Sequence, residues 1–413
     1  MTATTTNQLP LMKRIWGNKL SLPLYEESRF LSAISKDTQF VGEGRYVIVG
    51  VSPTSGGAAS FSTAYANQGA TNNVRFFVTR KKNYQVASIE GETLSAVKAD
   101  KGAVIDSLKR ETKGALYAFA RDMAFLAWNN GGGARGRVDG TVAGFATNTY
   151  IQLRNRAHVV HFEVGMYLKA AVDDGLANGG EKAGRLRITA IDRSTGVLRF
   201  GNAINDNTNG IPTIADGDYL FREGDYNDVM TGMGGWNPQE PIGASDSFWG
   251  QNRFNTDTQR VSGLRFEWSG DYEAGFIEAA QEASLAGIRV SHAWMNPLDF
   301  KGLLREVGTL KEARVTDTDK YGVSFRAVHI QGPHGIIEVH NEPNVPQGYT
   351  WMNNPSDIYL RTAGECPKDL FNPATKSSLW ALQDADAFQL RFGAYGNFTH
   401  EEPGNSVQIK WGA

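Results

Sequence analysis

Residues 100–130 carry a long helical pattern. Val104, Leu108, Ala115, Phe119, Met123 and Leu126 recur mostly at three- and four-residue steps, and Thr112 fills the gap between Leu108 and Ala115. This is a single apolar stripe on an α-helix. Asp100 is placed to cap its start, Asp106 and Arg110 form a favourable i,i+4 pair, and Asn129-Asn130-Gly131-Gly132-Gly133 stops it. About 28 residues at ~1.5 Å each make a rod of roughly 40 Å. The mean helix of a globular protein has only ~11–12 residues. Such a rod is a scaffold around which the other elements are arranged.

The flanking sequence is rich in strands. Residues 1–24 read as a polar arm with Pro10 and Pro23, and residues 25–36 as a short helix with Phe30, Leu31 and Ile34 on one face. In residues 45–94, RYVIVGV, VRFFVT and NYQVASI read as strands, the last two joined by Arg80-Lys81-Lys82-Asn83. An isolated hairpin is marginal in water. This excursion therefore needs a partner surface, on its own chain or another. Residues 140–225 give short strands between Gly/Asp/Asn turns: HVVHF, MYLKAA, RLRITAI, VLRF and DYLFRE. In RLRITAI, Leu186, Ile188 and Ala190 alternate with polar residues, which buries one face. The segment reads as a small antiparallel β-domain, barrel-like if it closes. Residues 226–262 are loop-rich. Asp271 starts a helix to Ala286, with Phe276, Ile277, Ala280 and Ser284 as its stripe; RVSHAWM is a strand; Asn296 and Pro297 open a helix bearing Phe300, Leu303, Leu304 and Val307. GVSFRAVHI and GIIEVH flank a turn at Gln331–Gly335. Phe388, Leu390 and Phe392, then Val407, Ile409 and Trp411, mark one-sided strands joined by a turn at Glu401-Glu402-Pro403-Gly404.

Composition excludes several classes. The 413 residues include 42 Lys plus Arg against 44 Asp plus Glu, a net charge of −2. That balance supplies no general attraction for nucleic acid or anionic membrane. A hydrophobic content of 41% suits a packed core rather than a disordered chain, and 46 glycines favour a turn-rich, strand-rich fold. The lone Cys366 reads as a small buried hydrophobe and fits a reducing compartment. No run approaches ~20 apolar residues, and the N-terminal stretch has no apolar signal core. A cytoplasmic site of synthesis is expected.

Catalytic patterns are lacking: no GxSxG, P-loop, HExxH or GxGxxG is present. His158 and His161, three apart in a presumed strand, fall on opposite faces, a poor metal geometry. His329, His334 and His340 surround one hairpin near Glu338 and Glu342, and would need defined carboxylate or imidazole support to hold a metal. Asn205, Asn207, Asn209, Gly210 and Asp216 have calcium-loop spacing, but Pro212 and the low charge favour a hairpin loop. Asn397-Phe398-Thr399 is a formal glycosylation sequon read as chance. Arg80-Lys81-Lys82 is a tight basic run, read either as a solvated turn or as a contact to an acidic patch on a neighbouring subunit. Trp236 and Trp249 in the loop-rich segment suit sugar stacking, which keeps a secreted β-rich carbohydrate-binding protein or enzyme as an alternative.

The order of these elements resembles the major capsid proteins of tailed double-stranded DNA phages, the Hong Kong 97-like fold. RFFVTRKKNYQVASIEGETL followed by DKGAVIDSLKRETKGALYAFARDMAFLAWNNGGG resembles the family's E-loop return strand and spine helix. HFEVGMYL, ITAIDRSTGVLRF and ADGDYLFREGDY resemble an inserted β-domain found in one subgroup, and RVSHAWMNPLDFKGLL an axial-domain strand and helix. The resemblance implies an α+β chain with an N-arm (1–40), an E-loop (41–97), a peripheral domain with its spine helix (98–138), an inserted β-domain (139–228), an axial domain with peripheral segments (229–365) and C-terminal strands (366–413). It implies pentamers and hexamers that close into an icosahedral virion shell around double-stranded DNA, assembled in a bacterial cytoplasm. Its partners would be copies of itself, a separate scaffolding protein, a portal protein and a decoration protein, with no membrane and no cofactor. No catalytic, cofactor or metal residue is implied. Arg75, Arg80, Lys81 and Lys82 are the candidate inter-subunit contacts. The family's Lys–Asn cross-link, promoted by a Glu, does not map onto this chain. An encapsulin-like compartment shares the fold but is usually shorter.

Overall fold

A computed structural model describes residues 28–90, 101–139, 148–177, 179–307, 328–371, 378–382 and 385–412. The N-arm before residue 28, Asp100 and the segments 91–100 and 308–327 lie outside them. The long helix spans Lys101–Leu126, about 39 Å at ~1.5 Å per residue. Thr112, Ala115, Phe119, Met123 and Leu126 are buried as the stripe requires, but Leu116, Ala120, Asp122, Ala124 and Phe125 are buried too. The last turns are covered on every side, so a one-sided stripe understates their surroundings. The helix ends where the Asn129 side-chain oxygen accepts from the amides of Gly131 and Gly133. Gly131 and Gly133 hold φ of 98° and 91°, which glycine adopts freely.

Three sheets surround this helix. The first is built on the fourteen-residue strand Ala387–His400, which pairs antiparallel with Lys81–Glu90 over ten residues and also with Ile358–Thr362, Lys368–Asp369 and Leu379–Ala381. Ser35–Asp37 adds in parallel at the edge beyond Ile358–Thr362. Ile89, Leu390 and Phe392 meet Ala115 and Leu116 of the long helix. The second sheet runs Gly136–Arg137, Tyr219–Arg222, Tyr167–Ala171, Leu186–Asp192, Val197–Phe200 and Tyr150–Gln152. A bridge between Val138 and Leu153 joins its two ends. The segment thus closes as a six-stranded barrel filled by Ile151, Phe162, Leu168, Ile188, Leu198 and Leu220 among others. The third sheet runs Leu264–Trp268, Val407–Trp411, Tyr349–Asn353, His292–Met295, Gly335–Asn341 and Val328–Gly332. The helices Tyr272–Leu285 and Pro297–Val307 contribute Phe276, Ala280, Phe300 and Leu303 to a core with Ala293, Met295, Val339 and Ile409 of this sheet. Trp294 and Trp351 join instead the core of Phe30, Trp128 and Met230.

Several expectations need correction. HVVHF is not a strand: Arg156–His161 form a 3₁₀ helix capped by the Asn155 side chain on the Ala157 amide. Ala190 is exposed, because a bulge between Ile188 and Ala190 shifts the strand's phase and turns Ile191 inward. The short N-terminal helix is only Arg29–Ala33, and a strand starts at Ser35. Between the strands RYVIVGV and VRFFVT, Phe61–Ala66 form a helix capped by Ser60. Asp271 holds the N-cap position without a side-chain cap bond, whereas the Asn296 side chain does accept from the Leu298 amide. Trp236 is fully buried, which removes it as a sugar platform. Asn397 is also buried, accepting from the Thr231 amide and donating to the Thr79 carbonyl, so the sequon is closed to modification.

Candidate assembly surface and side-chain clusters

The hairpin of Gly44–Ser52 and Asn72–Thr79 has two chemically different faces. Strict alternation points Val47, Val49, Val51, Val74, Phe76 and Val78 inward, where they pack on Trp236 and Val261 of the same chain. Phe76 meets Trp236 edge-on with centroids 5.6 Å apart, and the Trp236 indole N–H donates to the Phe398 carbonyl. The other face carries Tyr46, Ile48 and Arg75, with Ile48 58% exposed. At the tip, Phe61 and Tyr65 are 85% and 64% exposed and stack with centroids 6.2 Å apart. Large apolar groups exposed in such a row are a feature of binding surfaces.

The four basic candidates do not share one environment. Arg75, Arg80 and Lys82 are exposed. The Lys81 ammonium donates to the Asp228 carboxylate at 2.9 Å and to the Asn227 carbonyl at 3.1 Å, both on its own chain. Lys81 thus ties the start of the strand beside the long helix to the turn that leaves the barrel.

Beneath that contact lies a buried charge network that sequence reading missed. Asp122 of the long helix, Arg135 after it, Arg222 on the barrel's last strand and Asp225 in the next turn form a closed ring. Arg135 pairs with Asp122 and, at 2.9 Å, with Asp225; Arg222 reaches Asp122 at 3.0 Å and Asp225 at 2.9 Å. Arg222 also donates to the Asn83 side-chain oxygen at 3.3 Å. Burial alone would raise the Asp122 pKa, but the Arg222 and Arg135 guanidiniums outweigh it and hold the carboxyl down at about 2. Only the i,i+3 pair Arg222–Asp225 is local in sequence, so no linear motif announces the ring.

Another buried carboxyl anchors the first described residues. Glu342 accepts from the Ser28 hydroxyl at 2.9 Å and the Phe30 amide at 3.5 Å. Burial pushes its pKa up to about 7 against these hydrogen bonds, which act to lower it.

The histidines distribute differently from their sequence grouping. His158 and His161 stand with rings 5.9 Å apart, and burial lowers His158 to about 4. The exposed His334 hydrogen-bonds the Ser284 hydroxyl at 3.0 Å, away from His340. His329 lies opposite Glu338 on the neighbouring strand. His340 joins Glu338 and His292, the last from a strand outside the hairpin that the sequence grouping did not include. The turn Asn205–Asp216 is held by the Asp206 carboxylate accepting from the Thr208 and Asn209 amides. Burial pushes the Cys366 thiol up to about 12, which suppresses its thiolate. Among the described residues no helix is long and apolar enough to cross a membrane.

No protein-family model and no curated protein matches the chain. Solved structures do. The capsid asymmetric unit of Cyanophage A-1(L) aligns over 93% of this chain and 92% of that chain, with a TM-score of 0.50 at 10% identity. A Gordonia phage Cozz structure aligns over 94% and 87%, with a TM-score of 0.43 at 9% identity. The satellite phage P4 procapsid including size determination (Sid) protein aligns over 99% and 98%, with a TM-score of 0.42 at 10% identity. At these identities the cyanophage likeness is one of fold. This chain is an α+β protein that shares its fold, over nearly its whole length, with a protein of the cyanophage A-1(L) capsid.

Proposed function

We propose that the chain is the major capsid protein of a tailed double-stranded DNA phage, assembling as pentamers and hexamers into the icosahedral shell. The observation that carries this is the two-faced hairpin on a chain with a phage-capsid fold. Its inner face is satisfied by Trp236 and Val261, while its outer face and tip present Tyr46, Ile48, Phe61 and Tyr65 to solvent. Those exposed groups fit a second copy of this chain, on which the hairpin would lie as the E-loop. In this reading Lys101–Leu126 is the spine helix, the first sheet belongs to the peripheral domain and the third sheet to the axial domain. The barrel is the inserted domain, facing outward to brace neighbours or receive a decoration protein. Arg75, Arg80 and Lys82 would contact acidic groups of the neighbour. The balanced charge suits a shell filled with DNA by a motor at a portal rather than by attraction. A separate scaffolding protein would set the curvature. The role is structural and not enzymatic.

Electron microscopy of the purified full chain, alone and co-expressed with its scaffolding protein, tests this. Closed shells or five- and six-membered rings are expected. Phe61→Ser combined with Tyr65→Ser should leave the subunit folded but prevent shell closure. A stable monomer under both conditions would overturn the proposal.

A further inference from the structure

In the third sheet, strand His292–Met295 runs parallel to Gly335–Asn341, with His292 opposite Glu338 and Trp294 opposite His340. Period-two alternation puts Glu338 and His340 on one face of their strand, and the pairing brings His292 to the same face. Glu338 Oε2 lies 3.5 Å from His340 Nε2 and 3.9 Å from His292 Nε2, and all three ligand atoms fall within 4.8 Å of one another. For a triangle with those sides, a central point lies no more than about 2.4 Å from each corner, against ~2.0–2.2 Å for zinc–nitrogen and zinc–carboxylate bonds. A shift of a few tenths of an ångström closes the difference.

The hydrogen bonds behind His292 set which ring nitrogen is bare. The Asn354 amide donates to the Arg289 carbonyl at 2.7 Å, so its oxygen faces Ser291. The single Ser291 hydroxyl proton goes to that oxygen at 2.9 Å. Ser291 Oγ, 2.8 Å from His292 Nδ1, is then left to accept, and the neutral ring must carry its proton on Nδ1. The Nε2 lone pair therefore points at the Glu338 carboxylate. Two electron-pair donors facing each other without a hydrogen between them attract a cation. A ligating histidine whose other nitrogen is held by a fixed partner is the usual support of a protein metal site.

Access and confinement also fit. His340 is 2% exposed, and its buried Nδ1 has no hydrogen-bond partner. His292 and Glu338 are half-buried and open the cluster to solvent. Trp294 packs against both rings, at 6.0 Å from His292 and 4.9 Å from His340. The positive charge of Arg29 lies close to both rings and limits the affinity of the cluster for a cation.

We propose that His292, Glu338 and His340 form a binding site for a borderline divalent transition-metal ion, zinc in the first instance, that pins two parallel strands of the third sheet. Two imidazoles and one carboxylate select zinc-like ions over calcium or magnesium, which require oxygen donors. Water or His329, opposite Glu338 on the next strand, would complete the coordination.

The test uses the tag-free full chain, stripped with a chelator and titrated with zinc chloride by calorimetry, with metal analysis after dialysis. One zinc per chain is expected. His292→Ala and Glu338→Gln, both at half-buried positions where the fold tolerates the change, should each weaken binding at least about 100-fold, and Ser291→Ala about 10-fold through the loss of ring orientation. His334→Ala should leave binding unchanged. Cobalt substituted for zinc should give tetrahedral visible absorption in the wild type and lose it in Glu338→Gln. Absence of stoichiometric zinc, undiminished binding in His292→Ala, or loss in His334→Ala would each overturn the proposal.

Discussion

Replacing Arg135 by methionine should destabilise the chain far more than its chemistry at the surface would suggest. The guanidinium is 3% exposed and sits between Asp122 and Asp225, each 7% exposed. Methionine fills similar space but leaves two buried carboxylates facing one remaining cation, Arg222. Breaking a buried ion network by removing one partner typically costs about 3–5 kcal/mol, because a charge is left uncompensated in a poorly solvated site. The direction of the Asp122 shift agrees: burial would raise its pKa, yet the Arg222 and Arg135 guanidiniums hold it down at about 2, so the carboxylate depends on both cations. Adding Asp225→Asn to Arg135→Met restores a one-to-one balance between Asp122 and Arg222, so the double variant should recover part of the loss. Urea unfolding of the unassembled chain measures both. Hydrogen exchange should show the loosening concentrated at residues 133–139 and 218–226, where the barrel joins the long helix. A loss under about 1 kcal/mol for Arg135→Met, or a further loss on adding Asp225→Asn, would refute this account of the ring.

Glu342→Gln should remove a pH dependence. A buried carboxyl whose pKa rises from 4.5 to about 7 stabilises the fold most below the unfolded value and loses that stability as pH rises through the folded one. The variant's unfolding free energy should therefore be flatter between pH 4.5 and 7, and higher than wild type at pH 8 by up to about 3 kcal/mol. Trp236→Ala should cost about 3–5 kcal/mol and expose the hairpin at residues 44–79 to proteolysis, since the indole caps its inner face. Gly132→Ala should be strongly destabilising by thermal melting, because the added methyl would sit 2.1 Å from the Asp174 carbonyl oxygen.

The fold was legible where periodicity is local. The helix over 101–126, the alternation in RYVIVGV and VRFFVT and the Asn296–Pro297 start all follow from neighbours along the chain. The C-terminal strands, expected to be one-sided, are instead buried on both faces: Gln408 is buried between Val407 and Ile409, and Asn397, Thr399 and His400 are buried too. Errors arose where another part of the molecule decides. HVVHF is apolar enough for a strand, but Asn155 caps it as a 3₁₀ turn. Ala190 keeps the strand's period in sequence, and a bulge set by pairing with Val197–Phe200 breaks it in space. Trp236 reads as a loop residue until Phe76, more than 150 positions away, closes over it. The side-chain clusters were least legible. The Asp122–Arg135–Arg222–Asp225 ring and the His292–Glu338–His340 group are assembled by strand pairing, so their members share no spacing that a linear reading could find.

The hairpin links these two levels. Its inner valines and Phe76 follow from alternation alone, yet alternation cannot say what they cover. The structure supplies Trp236 and Val261 from the same chain, so the hairpin is held before any neighbour arrives. Its outer row of Tyr46, Ile48 and Arg75 is thereby fixed in direction, and binding a partner there costs little additional ordering of the two strands. A surface prepared this way keeps more of each contact's free energy as affinity. In a shell where every subunit makes several such contacts, modest affinity per contact suffices, because once one contact forms the others become intramolecular. Under the proposed capsid role, the same argument gives Trp236→Ala a second consequence: with the inner face loosened, the outer row loses its fixed direction, and shell formation should fail at chain concentrations where the wild type closes, even though no residue of the exposed surface has changed.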